Sequence, residues 1–410
     1  MRLQPRLSNY IDILKSSKGW AAQRGSAYFK ISPGTTFECD CSTRTNWPCE
    51  FEEGRFLNRP RLLANPLLVK IVKILLLQLK RIGDLISTTP AILTLRSNFP
   101  DSQLTLVVSN KCADLLPAIW DVDRIWMARR NWRDLALLFS VARGKFDYCI
   151  DFTRNDRSAL LTFLSRAPVR AASYRVREQS RRRARVYTNF VNVRMRDMHI
   201  IDYHLGLLEP LEVRRSSRAL RLDLPEIAWT KADQLRRDAN IHRPFVIFHP
   251  GSARREKFWD PGRWAKVIEE TGLNHDLDLV LTSGASPFEQ SHVAAIKSQT
   301  KQRIVDLSGK TDLLRLAALI GQARLLVTVD SAPMHLAAAA HTPQVVLFGP
   351  TNPFHWRPRE SPALILQGES STPLTEFSPP RPGLPMSQIS TAAVIDAMES
   401  LLSPVAAQTS

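Results

Sequence analysis

Four stretches of this chain carry residue types able to do polar chemistry. In "KRIGDLISTTP", Lys80 to Pro90, an apolar run ends in a turn with one glycine, Gly83, followed at once by Asp84. A carboxylate presented on such a turn can accept a proton from a hydroxyl nucleophile, and it can equally cap a helix. In "VTVDSAPMHLAAAA" a strand runs straight into a helix, with Asp330 or Ser331 at the cap, Pro333 in the first turn and His335 just inside it. Free amides and the macrodipole at such a helix start favour a phosphate or pyrophosphate, although a capped core helix has the same letters. "HPGSARREKFWDPGRW" leaves another strand through Gly251 and Ser252 and is expected to expose Arg254, Arg255 and Lys257, a mobile positive charge for a phosphate or a solvated basic loop. In "LTSGASPFEQ", Glu289 can accept from a ribose hydroxyl or complete a capping box with Ser286.

A fifth stretch, "RAPVRAASYRVREQSRRRARVYTNFVNVRMR", holds ten arginines and one acid, with Arg181, Arg182, Arg183 and Arg185 nearly contiguous. It suits an anionic partner: nucleic acid, or a phosphate- or carboxylate-rich glycolipid at a membrane. No recognition-helix, zinc-finger or RNA-binding signature accompanies it, so nucleic acid is not expected. The formal charge of the whole chain, +17, points the same way.

Several chemistries lack their usual support. Neither G-x-G-x-x-G nor G-x-x-x-x-G-K-[ST] occurs after a strand, and G-x-S-x-G is absent. Cys39, Cys41, Cys49, Cys112 and Cys149 form an odd set without framework spacing, which favours a reducing compartment. "CDCSTRTNWPC" lacks a nearby fourth ligand, so no metal site is expected there. No apolar run reaches the length of a membrane span and no signal-peptide pattern opens the chain, so a cytoplasmic protein with at most peripheral membrane contact is expected.

These loops need a scaffold that brings strand ends together. Residues 1–68 show no sustained period and are expected to be a weakly ordered leader. From there short apolar runs alternate with amphipathic stretches, the pattern of parallel sheets wrapped by helices. The runs "IVKILLLQL", "QLTLVVSN", "RIWMA" and "FDYCIDFT" predict strands of a first α/β domain, 69–225. A linker helix is expected in 226–243. A second α/β domain, 244–365, has strands "FVIFHPGS", "LDLVLTSG", "RIVDLSG", "LLVTVD" and "QVVLFGP", with helix starts at Asp260, Ser286 and Thr311. Residues 366–410 read as a Pro/Ser-rich tail with a closing helix, "SQISTAAVIDAMESLL".

Five ordered blocks, "KRIGDLISTTPAI", "FHPGSARREKFW", "LTSGASPFE", "LSGKTDLLRLAALI" and "VDSAPMHLAAAAHTPQVVLFGPTNPFHW", resemble the ADP-heptose:lipopolysaccharide heptosyltransferases of glycosyltransferase family 9. The middle segments "DFTRNDRSALLTFLSRAPVRAASY" and "HIIDYHLGLLEPL" look closer to the heptosyltransferase III type. The resemblance implies a GT-B fold, two Rossmann-like domains with parallel sheets facing across a cleft. It also implies inverting, metal-independent transfer from ADP-L-glycero-D-manno-heptose to the lipopolysaccharide inner core, at the cytoplasmic face of the inner membrane, with no cofactor.

Carried over, Asp84 matches the general base and Lys257 the lysine at the donor phosphates. Asp330, Ser331, Met334 and His335 match the diphosphate signature, and Ser252 and Glu289 fall in segments holding phosphate and nucleoside. The arginines at 181, 182, 183 and 185 would face the acidic acceptor. Two departures stand out: Ala332 where the family usually has glycine, and the long leader, since related chains begin near Lys70. The alternatives are a GT-B transferase using another nucleotide sugar and, further off, a non-catalytic basic protein that binds RNA or membranes.

Overall fold

The computed structural model describes residues 71–129 and 131–403. The expected leader and the Cys39, Cys41 and Cys49 cluster lie outside them.

The first half is a six-stranded parallel sheet. Its elements run β1 (Lys73–Gln78), α1 (Ile82–Ile86), α2 (Thr89–Asn98), β2 (Gln103–Ser109), a 3-10 segment Asn110–Ala118 and β3 (Arg124–Ala128). They continue through α3 (Asp134–Arg143), β4 (Tyr148–Asp151), α4 (Asp156–Ser165), β5 (Val169–Ser173), α5 (Arg175–Gln179), α6 (Arg181–Ala184), β6 (Asn189–Val191) and α7 (Ile200–Gly206). The strand order is β3-β2-β1-β4-β5-β6. β1 is flanked in register by β2 and β4, with Leu76 opposite Leu106 on one side and Ile150 on the other. Its side chains are buried on both faces, which is why "ILLLQ" reads as a continuous apolar run. Ile74 and Leu76 pack under α2 and α7, while Leu75 and Leu77 pack under α3 and α4.

The second half repeats the plan. After α8 (Glu226–Asp238) come β7 (Phe245–His249), α9 (Pro261–Asn274), β8 (Asp278–Leu281), α10 (Pro287–Lys297), β9 (Ile304–Asp306) and α11 (Leu313–Gln322). Then follow β10 (Leu325–Val329), α12 (Ala332–Ala340), β11 (Gln344–Phe348), α13 (Pro353–Trp356), β12 (Ala363–Gln367) and α14 (Thr391–Leu402). The order is β12-β11-β10-β7-β8-β9, again all parallel. α14 returns to cover this sheet: Val394, Ala397 and Met398 share a core with Trp259, Trp264 and Leu347. α8 packs on α11, where Gln322 donates to Asp233 at 2.8 Å.

Several local expectations need correction. The amphipathic stretch after β1, "DLISTTPAILTLRSNF", predicts one helix but folds as parts of two, because Pro90 has no N–H to continue the ladder and sits in the first turn of α2. β5 and β6 run through the arginine-rich stretch, and β12, Ala363–Gln367, carries the second sheet two residues past the expected boundary at 365; none of the three is among the expected strands, and all are short. The α11 cap is Asp312, not Thr311, its carboxylate accepting from the Arg315 amide at 2.8 Å.

Candidate active site at the meeting of two strand-order reversals

In each sheet the strand order reverses beside the first strand of its half, between β1 and β4 and between β7 and β10. Ligands of open α/β sheets bind at such reversals, beyond the strand C-termini. Here the two reversals face each other. Ile86 and Leu115 from the first half share a buried cluster with Leu319, Ile320 and Leu336 from the second, so α1 packs against the start of α12.

The β1 end of this region is held firmly. The Asp84 carbonyl accepts from the Thr88 hydroxyl at 2.7 Å, Thr88 accepts from the Gln78 amide at 2.8 Å, and the His204 ring sits 2.9 Å from the Ser87 carbonyl. Asp84 is not the cap of α1; Arg81 occupies that position without a side-chain bond. The carboxylate instead lies in the first turn, 12% exposed, with the Lys80 ammonium 3.7 Å away. Burial depresses the Lys80 pKa, and Asp84 opposes that shift.

The second half supplies α12. Its first-turn residues are Ala332, Pro333 and Met334, and no side chain caps it, so its leading amides have no side-chain partner. His335 is buried against Gly83; burial lowers its pKa, with Asp330 and Asp84 pulling the other way. Ala332 is helical, a conformation that alanine favours, so the departure from glycine costs no backbone strain.

Lys257 is not the mobile, exposed lysine that its loop suggests. Its ammonium bonds the Asp330 carboxylate at 2.6 Å and the Asp330 carbonyl at 2.9 Å, with only 12% of the side chain exposed. The Thr351 hydroxyl donates to the same carboxylate. A positive charge is therefore fixed beside the start of α12.

Ser252 and Glu289 are buried beyond the ends of β7 and β8, where the Ser252 hydroxyl accepts from the Arg254 amide at 3.3 Å. The Glu289 carboxylate fits between two glycines: a Cβ on Gly251 or Gly284 would stand 2.6 or 2.5 Å from its oxygens. It accepts from the Ser286 hydroxyl at 2.5 Å and the Gly284 amide at 3.2 Å. Ser286 caps no backbone amide and Glu289 reaches back to the Gly284 amide, not to that of Ser286, so the expected capping box is absent.

The remaining expected residues lie apart. Met334 is fully buried among Val346, Phe348 and Ile365, which leaves only its backbone near the helix start. Arg181 and Arg185 line, with Arg177, Tyr187 and Phe190, an open groove of about 480 Å³. Arg182 is exposed. Arg183 turns inward, pairing with Asp156 at 3.3 Å and donating to the Arg154 carbonyl.

Two residues that sequence reasoning passed over organise this side. The buried Asp151 carboxylate accepts from the amides of Thr153 and Arg154 and the hydroxyls of Ser158 and Tyr187. That turn holds Arg154 at φ 63°, with its guanidinium 5.2 Å from the Tyr203 ring and its charge felt by Lys80. The "DFTRND" spacing, an acid at a strand end ahead of a helix cap, is the signal that pointed there.

Residues 135–378, more than half of the chain, match glycosyltransferase family 9 (heptosyltransferase). The chain belongs to that family. It is a glycosyltransferase, and the non-catalytic alternative falls away. Lipopolysaccharide heptosyltransferase 3 of Escherichia coli is 27% identical over 331 residues, spanning 78% of this chain and 96% of the relative. The lipopolysaccharide core heptosyltransferase OpsX of Haemophilus influenzae is 23% identical, spanning 76% and 88%. Among solved structures, a family 9 glycosyl transferase from Veillonella parvula superposes with a TM-score of 0.69 at 26% identity, covering 81% of this chain and 97% of that one. E. coli ADP-heptose heptosyltransferase II gives 0.65 at 20% identity over 81% and 98%. The paired parallel sheets are thus the GT-B architecture. Among the described residues no helix is long and apolar enough to cross a membrane.

Proposed function

We propose that this heptosyltransferase moves a heptose from ADP-L-glycero-D-manno-heptose to the lipopolysaccharide inner core, with inversion and without a metal ion. The observation that carries this is the juxtaposition of Asp84 with the start of α12 and the Lys257–Asp330 pair, contributed by opposite halves. A diphosphate seated on the α12 amides beside Lys257 has its leaving charge stabilised by fixed dipoles and a fixed cation, the role a divalent ion fills in other transferases. An acceptor hydroxyl deprotonated by Asp84 then attacks from the first-half side. Attack and departure on opposite faces of the anomeric carbon invert it.

Ser252 and Glu289 would hold phosphate and nucleoside, and the arginines at 181, 182, 183 and 185, with Lys80 and Arg154, would give the acceptor side its positive field. Support for the donor comes from a similar fold, an E. coli heptosyltransferase solved with ADP (TM-score 0.59, 19% identity). Support for a side-branch heptose, the III-type reaction, comes from two lipopolysaccharide heptosyltransferase 3 relatives at 27% identity. A lipid-anchored acceptor would bring the enzyme to the cytoplasmic face of the inner membrane, where it would act as a peripheral protein.

The test is Asp84→Asn, read by transfer rate and by calorimetric ADP-heptose binding. Turnover falls by about 10²- to 10⁴-fold with donor affinity retained. Unchanged turnover overturns the assignment of Asp84, and preference for a UDP-sugar in competition overturns the donor.

A further inference from the structure

The outer surface of α3 and α4 is built against the usual pattern. Surface helices of a globular protein turn polar residues to water. Here the outward positions of α3 and its approach carry Trp132, Leu135 and Phe139, exposed by 76, 68 and 56%. The outward positions of the neighbouring α4 carry Leu160 and Phe163, exposed by 46 and 62%. The helices pack side by side over the same face of the first sheet, burying Leu137, Val141 and Leu161 beneath them, and Asp134 of α3 pairs with Arg157 of α4. The five large side chains therefore stand on one continuous outer face.

The rim of that face is cationic. Arg133, Arg143, Lys145 and Arg166 are exposed around it. Arg133 lies 5.6 Å over the Trp132 ring and Arg143 lies 4.0 Å over the Phe139 ring, so each carries its charge beside an apolar anchor. Of the acids nearby, Asp134 is paired with Arg157, while Asp156 stands 3.3 Å from Arg183 with its carboxylate exposed, so the exposed arginines and lysine outnumber it. On its far flank, Ala159 of α4 packs against Val176 and Tyr187, which brings the groove of Arg177, Arg181 and Arg185 alongside, with Glu178 as its exposed acid.

We infer that the α3–α4 face docks onto an anionic lipid bilayer. Apolar anchors ringed by arginine combine hydrophobic insertion with attraction to acidic headgroups, and it takes two such signals to hold a protein at a membrane. A second copy of the chain is disfavoured by charge, because a two-fold contact sets each cation ring against its own image. Residues 1–70 are themselves net basic and fit this rim no better. The inference rests on the membrane placement proposed above and names the surface responsible. It sets the acceptor-side half against the bilayer.

The test uses the full chain and sedimentation with vesicles of phosphatidylcholine alone or mixed with phosphatidylglycerol, with no sugar substrate present. The protein is expected to partition to the anionic vesicles and to be released by salt. Phe139→Ser combined with Phe163→Ser, and separately Arg143→Glu combined with Arg166→Glu, are expected to weaken partition by at least tenfold. Both variants are expected to keep native circular dichroism and wild-type transfer to a delipidated soluble acceptor. Unchanged partition in both, with the fold intact, overturns the proposal. A wild-type dimer that Phe139→Ser dissociates overturns it in favour of a copy interface. Partition is read without turnover, so loss of the proposed donor or acceptor would leave this result standing.

Discussion

Gly83 lies against the His335 imidazole so closely that a Cβ built on it would stand 2.8 Å from Cδ2 and 3.0 Å from Nε2. The two residues come from helices of different halves, α1 and α12, and their contact sets the distance between Asp84 and the start of α12. Gly83 sits in the helical turn of α1, where alanine is ordinarily better than glycine by about 1 kcal/mol. Gly83→Ala is expected to reverse that sign, losing about 1–3 kcal/mol through overpacking and lowering transfer by displacing His335. Urea unfolding beside steady-state rates checks it; a stabilised variant with normal turnover would show that the contact yields freely.

Lys257 and Asp330 should be separable by a double-mutant cycle. Removing the lysine strands a carboxylate that is 8% exposed. Lys257→Ala is expected to cost about 3–5 kcal/mol of stability and at least tenfold in ADP affinity. Adding Asp330→Asn should restore most of the stability, since Thr351 still donates to position 330, without restoring affinity. Recovery of both would mean that Lys257 only neutralises its neighbour.

Glu289→Gln keeps the shape that Gly251 and Gly284 accommodate but loses the charge. If the carboxylate holds a ribose hydroxyl, ADP binding weakens about tenfold while pyrophosphate binding is unchanged. Equal weakening of both ligands would assign Glu289 to loop structure.

Stability should fall on acidification before the carboxylates titrate. Burial lowers His199 and His204 to about 3 and His249 to about 4, from an ordinary value near 6.5. Below pH 6.5 the unfolded chain binds protons that the folded chain refuses. The stability is fully present above that pH and is lost progressively as pH falls toward 4. Each histidine contributes up to about 1.4 kcal/mol per pH unit. Denaturant titrations at pH 7, 6 and 5 measure the slope, and His204→Gln is expected to flatten it.

The parallel α/β architecture is readable in the sequence because strands buried on both faces leave long apolar runs such as those of β1, β7 and β10. The loops after those strands are readable too. What sits against them is not. Nothing local in "RREKFW" announces that Lys257 is tied to Asp330, or in "SPFEQ" that two glycines elsewhere shape a slot for Glu289. β5 and β6 hide because arginines surround them, and Asp151 hides because its four partners are spread from Thr153 to Tyr187.

The contacts between the halves are unevenly bonded. The segment around α13 is fastened to α7 and the residues before it: His199 meets the Arg357 carbonyl at 2.9 Å, His355 meets the Met198 carbonyl at 2.9 Å, and Arg359 pairs with Asp202. At Gly83 and His335 the halves meet by van der Waals contact, with the apolar cluster around Ile86 behind it. Like a door hung along one edge and merely shut along the other, the molecule can swing open at its chemical edge without breaking those bonds. Substrates as bulky as a nucleotide sugar and a glycolipid would then enter by the side where the transfer is proposed to occur.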